Sequence, residues 1–148
     1  MSSYVPLALR RFVARRARNV CEYCLIHEDD AYYGCEIEHI ISEKHGGRNV
    51  RSNLAWACSI CNRNKGTDIS SVLPGTHEIC RLFNPRTDRW REHFRIRGHH
   101  ILGITEIGRV TVALLDMNAS DRVAERQILA AIGRYPSDVA ISLIDRPS

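Results

Sequence analysis

Residues 38–47 read EHIISEKHGG: a carboxylate beside a histidine at the end of a β-branched run, then a charged loop closed by two glycines. Residues 35–41, CEIEHII, alternate Ile37, His39 and Ile41 against Glu36, Glu38 and Ile40, which predicts a strand. Neighbouring side chains on a strand point to opposite faces, so Glu38 and His39 diverge unless the strand ends or bulges there. Core packing gives no reason to place such a pair; a metal or phosphate site does. Residues 42–52 form a polar loop. Residues 53–57, NLAWA, predict a second short strand, and residues 59–65, SICNRNK, a helix stopped near Gly66. The order is strand, loop, strand, helix.

Two cysteine pairs bracket this unit. Cys21 and Cys24 precede it, and Cys58 and Cys61 stand at its second strand and helix, with 33 residues between the pairs. A CxxC turn aims two thiolates at one point, and two such turns complete an all-sulfur tetrahedron for Zn2+. A redox CxxC is the alternative, although that chemistry needs only one pair, set beside a βαβ pattern. Cys35 and Cys80 fall outside the scheme and read as small buried hydrophobes.

Length and composition set the bounds. A chain of 148 residues with 44% hydrophobic and 26% charged residues has room for one domain, or a small module with an elaborated tail. No apolar run approaches ~18 residues, so no membrane-spanning helix is predicted. Near the N-terminus the arginines follow the apolar residues instead of preceding them, unlike a secretory signal, so a cytoplasmic protein with reduced thiols is expected. The net charge of +4 is unevenly spread: Arg10, Arg11, Arg15, Arg16 and Arg18 come early with no acid, and residues 81–97 hold six arginines against Asp88 and Glu92. The segment between is net acidic. That suits a protein gripping a polyanion at its edges and a cation at its centre. Leu9, Phe12, Val13, Ala17 and Val20 recur at helical spacing, with Arg11, Arg15 and Arg18 on another face, predicting an amphipathic helix that offers arginines outward.

Downstream, residues 90–96 and 99–104 read as two strands. Ile107, Val110, Leu114 and Leu115 fit a helix, although Val110-Thr111-Val112 also favours strand. A further helix over residues 121–132 gathers Ala124, Ile128, Ala131 and Ile132 on one face, with Gly133 as its stop. The last dozen residues are weakly patterned. Pro74-Gly75 is the best punctuation, dividing a core at 1–73 from an extension at 74–148 packed on it, the two together amounting to one domain in the alternative division.

In order, Cys-x2-Cys, Glu-His-Ile-Ile, Gly-Gly, Ser-Asn-Leu and Cys-x2-Cys-Asn-x2-Lys resemble the HNH endonucleases, the ββα-metal (His-Me finger) nucleases whose zinc-ribbon subgroup carries four cysteines. This resemblance covers about residues 20–66. Leu82-Phe83-Asn84-Pro85-Arg86, Trp90 with Glu92-His93-Phe94, Gly108-Arg109 and Met117-Asn118 look like the C-terminal half of a common bacterial HNH group. The implied fold is α+β: a ββα-metal core stapled by a structural zinc on Cys21, Cys24, Cys58 and Cys61, an N-terminal helix, and a C-terminal α+β extension.

The implied activity is metal-dependent hydrolysis of DNA phosphodiesters to a 5′-phosphate and a 3′-hydroxyl. By the resemblance His39 is the general base, Glu38 binds the catalytic metal, Asn53 braces the loop and orients His39, and Asn62 offers its amide oxygen to the metal. The set is H-N-N where H-N-H is commoner, and its hard oxygen ligands favour Mg2+ or Mn2+. Arg11, Arg15, Arg18, Lys44, Arg48, Arg63 and Lys65 are the expected contacts to a DNA duplex; no membrane partner is expected. One such site cuts one strand, so severing a duplex takes a homodimer or sequential nicks. The alternative is a zinc-ribbon nucleic-acid-binding module that keeps the scaffold without catalysis.

Overall fold

Helix α1 (Leu7–Arg16) starts directly after Pro6, whose φ of −57° suits a helix start. It stops where Arg18 and Asn19 turn left-handed, with φ of 53° and 62°. Arg18, expected on the basic face of the helix, therefore lies past its end. These features belong to a computed structural model that describes residues 4–145. Val13 of α1 and Ala17 just past its end bury against Leu54 and Trp56, with Leu9 and Phe12 packed alongside.

Strand β1 (Cys35–His39) pairs antiparallel with β2 (Leu54–Cys58), in a register from Cys35↔Cys58 to His39↔Leu54. Helix α2 (Ser59–Lys65) follows β2 without a break, and Gly66 closes it at φ 53°. The strand, loop, strand, helix order read from the sequence is present within a residue or two. Every residue of β2 is buried, because its two faces serve different cores. Leu54 and Trp56 face α1, whereas Ala55 and Ala57 join the main apolar cluster.

The two glycines of the loop differ in purpose. Gly46 stands at φ 86°, a left-handed stop to the short helical turn over Glu43–His45. Gly47 has no room for a side chain: a Cβ there would lie 1.6 Å from the Ile41 carbonyl oxygen. One amide holds this closure. Asn53 Oδ1 accepts from the Ile41 N–H at 2.9 Å, and its Nδ2 donates to the carbonyls of Ile41 (2.8 Å) and Arg48 (3.0 Å).

The rest of the chain adds hairpin β3 (Ser70–Val72) with β4 (Ile79–Arg81), helix α3 (Trp90–His93), hairpin β5 (Phe94–Arg97) with β6 (His100–Gly103), and helices α4 (Glu106–Leu114), α5 (Ser120–Ala131) and α6 (Asp138–Asp145). The molecule is thus mixed helix and small antiparallel sheets. Pro74-Gly75 lies in the turn between β3 and β4. One apolar cluster runs from Val20 and Tyr23 through Phe83, Trp90 and Phe94 to Leu115, Met117 and Tyr135, crossing that point of the chain.

Several elements differ from the sequence reading. Residues 90–93 are a helical turn, seated by the Trp90 indole N–H donating to the Tyr23 carbonyl at 2.8 Å. By contrast, Ile107, Val110 and Leu114 lie in a helix as their spacing expects, and Val110-Thr111-Val112 sits inside α4 despite its strand preference. Helix α6 and the β3–β4 hairpin carry little pattern. Helix α5 is where it was expected but is rotated: it buries Arg122 and Arg126 and leaves Ile128 and Ile132 about two-thirds exposed, at 67% and 66%. Among the described residues no helix is long and apolar enough to cross a membrane.

Gly47→Ala should destabilise the protein, since overpacking costs about 1–3 kcal/mol and the clash is with backbone. Thermal melting should fall by about 2–4 °C for each kcal/mol of stability removed; an unchanged melting temperature would mean the loop can yield.

Candidate active site and metal centre

The CxxC pairs converge. Cys21, Cys24, Cys58 and Cys61 are all buried and unbridged, and their sulfurs lie within 4.8 Å of one another. Cys24 Sγ and Cys58 Sγ are 3.7 Å apart, close to the edge of about 3.8 Å that Zn–S bonds of about 2.3 Å give a tetrahedron. The Cys24 and Cys61 amides each point at the first sulfur of their own pair, at 3.5 Å. Burial pushes the Cys21 thiol up, while hydrogen bonds from the neighbouring thiols, helped by Arg122, pull Cys24 well down. An all-sulfur, enclosed set of four donors fits a structural zinc.

His39 ends β1 with its side chain 18% exposed. Its Nε2 lies 2.5 Å from Asn49 Oδ1 and 4.0 Å from Glu43 Oε1. The ring opens on a cavity of about 600 Å3 lined by Tyr4, Val5, Arg10, Ser42 and Asn62 among others. Ser42 Oγ is buried there without a hydrogen-bond partner. Asn62 Nδ2 donates to Glu36 Oε1 at 2.7 Å, which leaves its Oδ1 without a partner among the described residues.

Glu38 departs from expectation. The β1–β2 register runs regularly through Glu38↔Ala55 and His39↔Leu54, so neither a bulge nor an early strand end brings the two side chains together. Glu38 turns inward and is 1% exposed. Its Oε2 accepts from the Tyr23 hydroxyl at 2.6 Å, and its Oε1 pairs with Lys65 Nζ at 2.6 Å. Burial raises its pKa, opposed chiefly by the Lys65 charge. The expected ligand pair of Glu38 and Asn62 is therefore not assembled: the carboxylate is enclosed and both its oxygens are engaged. Lys65, expected on a phosphate, is 1% exposed and also donates to the carbonyls of His39 (3.1 Å) and Ile40 (3.0 Å).

Residues 21–68 match the family model described as HNH endonuclease. Over 128 residues the chain is 28% identical to the Septu protein PtuB of Bacillus thuringiensis, a match taking in 85% of this chain and 46% of that protein, so the chain spans about half the length of its relative. No solved structure matches it.

On and around the matched segment, Arg11, Arg15, Arg18, Lys44, Arg48 and Arg63 are exposed, and Arg15 Nε donates to the Arg11 carbonyl at 3.4 Å. Asn53 ties the ends of the loop, while the direct partner of the His39 ring is Asn49. Sequence reasoning missed Asn49, Arg10 and Glu36. Asn49 sits inside a loop with no periodicity to mark it. Arg10 stands one position from the arginine face that was read. Glu36 shares the strand face of Glu38 but lies nearer Asn62.

The Glu38–Lys65 pair makes a stability prediction. Glu38→Gln leaves the Lys65 ammonium buried without its counter-charge, a loss of about 3–5 kcal/mol. Glu38→Gln combined with Lys65→Met should recover much of that in a denaturant double-mutant cycle. Independent, additive losses would mean that the two side chains do not support each other.

Proposed function

We propose that this chain is a metal-dependent endonuclease that hydrolyses DNA phosphodiester bonds, with His39 as its general base. The observation that carries this reading is the His39 ring, held by Asn49 and facing the cavity shared with Arg10, Ser42 and Asn62. Nε2–H donating to Asn49 Oδ1 leaves the Nδ1 lone pair of the neutral ring free to take a proton from water. The Arg10 guanidinium is a donor for phosphate oxygens, and its planar fork matches a phosphate.

Asn62 Oδ1 is the oxygen donor in that cavity that would help hold a Mg2+ or Mn2+, ions that bind through few protein ligands and keep several waters, and the Glu36 carboxylate orients it by accepting from Asn62 Nδ2. When bound, such an ion neutralises a phosphate oxygen and the leaving 3′ oxygen. Glu38 serves as an internal anchor. The products are a 5′-phosphate and a 3′-hydroxyl. Exposed Arg11, Arg15, Arg18, Lys44, Arg48 and Arg63 contact the backbone of a duplex, and two copies or two successive nicks sever it. Six unbridged cysteines suit a reducing, cytoplasmic setting. Segments 1–73 and 74–148 work as one unit: Arg86 of the second pairs with Glu22 between the first two zinc-site cysteines and donates to the Leu54 carbonyl at 3.1 Å. The enclosure of Glu38 favours the second reading, a nucleic-acid-binding module without catalysis.

Supercoiled plasmid with wild type, His39→Ala, Glu36→Gln and Glu38→Gln, in Mg2+, Mn2+ or EDTA, separates the readings. Wild type should nick only with metal, and His39→Ala should lose about 10²–10⁴ in rate. Glu36→Gln should raise the metal concentration needed, whereas Glu38→Gln should lower the folded fraction and leave that requirement alone. A folded, zinc-loaded wild type that binds DNA and cuts it with neither metal would establish the binding module. Arg11→Ala with Arg15→Ala should reduce the salt slope of DNA binding by about one for each phosphate no longer neutralised; an unchanged slope removes α1 from the interface.

A further inference from the structure

Helix α5 buries a guanidinium where a helix covering a metal site would ordinarily place an aliphatic side chain. Arg122 is 3% exposed. Its Nη2 lies 3.1 Å from Cys24 Sγ and 3.7 Å from Cys58 Sγ, and its Nη1 lies 3.8 Å from Cys61 Sγ. Three of the four sulfurs thus meet one side chain that stands 61 residues further along the chain than the last of them. Glu125 Oε1, one turn on, faces Arg122 Nε at 3.8 Å from the outer side.

Four thiolates around one Zn2+ carry two net negative charges, here enclosed away from water. A donor cation against the sulfurs offsets that charge, and the partners of a metal's ligands tune its binding. The dependence runs both ways. A buried guanidinium needs an anion beside it, and the thiolates supply it. The rest of this segment closes on the same knuckle: the Tyr135 hydroxyl donates to the Cys24 carbonyl at 2.7 Å, and Arg134 pairs with Asp30 at 2.7 Å. Arg126, one turn beyond Arg122, donates to the His99 carbonyl at 2.8 Å and to Asn118 Oδ1 at 3.0 Å, which fixes the rotation of the helix.

We propose that Arg122 is the counter-cation of the zinc–thiolate centre, so that the metal site is built by both halves of the chain and metal loading docks α5 onto the segment that carries the four cysteines. The proposal rests on the reading of the four cysteines as a zinc site. Arg122 is a positioning residue for that centre, not a ligand, and it explains why α5 turns its isoleucines outward.

The test uses the full chain loaded with zinc or cobalt, as wild type and Arg122→Met. Arg122→Met should bind zinc about 10- to 100-fold more weakly and release it faster to a chelator. Its sulfur-to-cobalt charge-transfer band should move to lower energy, because the sulfur lone pairs lose a stabilising positive neighbour; loss of packing alone would not shift that band in this direction. In wild type, chelation should expose the amides of α5 to hydrogen exchange together with those of the cysteine turns. Should Arg122→Met fail to fold, Arg122→Gln gives the same readings. Wild-type zinc affinity and an unmoved cobalt band in the neutral variant, or α5 amides still protected after chelation, would overturn the proposal. A folded wild type that takes up neither zinc nor cobalt would sink the zinc reading itself, and is told apart because it appears before any variant is made.

Discussion

Four buried sulfurs within 4.8 Å of one another can be thiolates only if something positive sits among them. Meeting that demand organises the chain. The first pair lies just past α1 and the second at the joint of β2 and α2, so a single ion there would tie the exit of one helix to the start of another. Between the ties lies a two-stranded sheet, which is marginal by itself in water. It is clamped at both ends. At the Cys35↔Cys58 end the second cysteine pair begins. At the His39↔Leu54 end Lys65 reaches back from α2 and takes the carbonyls of His39 and Ile40.

The second clamp explains what the sequence could and could not say about the site. Alternation and the cysteine spacing are local properties, and they placed β1, β2, α2 and the converging sulfurs. The pleat left Glu38 and His39 two choices, to converge at a bulge or to part. Only the register decides, and it depends on the partner strand. Because the pairing runs on to Leu54, the acid drops into the core and the histidine faces the cavity. The lysine after the second cysteine pair reads from sequence as a contact to phosphate. Its aliphatic stem can equally be buried, and whether it finds a carboxylate depends on how α2 crosses β1, which no spacing encodes.

In the C-terminal half a polar side chain with a buried partner overrides a local preference more than once. Val110-Thr111-Val112 has strand propensity. Yet Thr105 Oγ1 caps α4 by accepting from the Gly108 N–H at 3.0 Å, and Thr111 Oγ1 donates to the Ile107 carbonyl at 2.7 Å while accepting from the Phe83 N–H at 2.9 Å. The hydroxyl is satisfied within the helix and ties it to the neighbouring chain. The rotation of α5 has the same origin. Amphipathic periodicity correctly marks a helix, but it assumes that the apolar stripe faces inward; here the inward acceptors are sulfurs and carbonyls, and two arginines meet them.

This inward use of cations bears on how the molecule would meet a polyanion. The formal net charge of +4 counts every basic side chain alike. Lys65, Arg122 and Arg126 are buried, and the first is matched by Glu38. A zinc–thiolate centre would add two negative charges that the formal count omits. The attraction available to DNA therefore lies less in the total than in which arginines face outward, and among those Arg10 is set apart by lining the cavity of His39. Tyr4 and Val5 line it as well, so the segment that precedes the cysteines forms a wall of the site. Affinity and chemistry would then share α1: arginines along the helix hold the backbone, while the one at the cavity meets the phosphate beside the base.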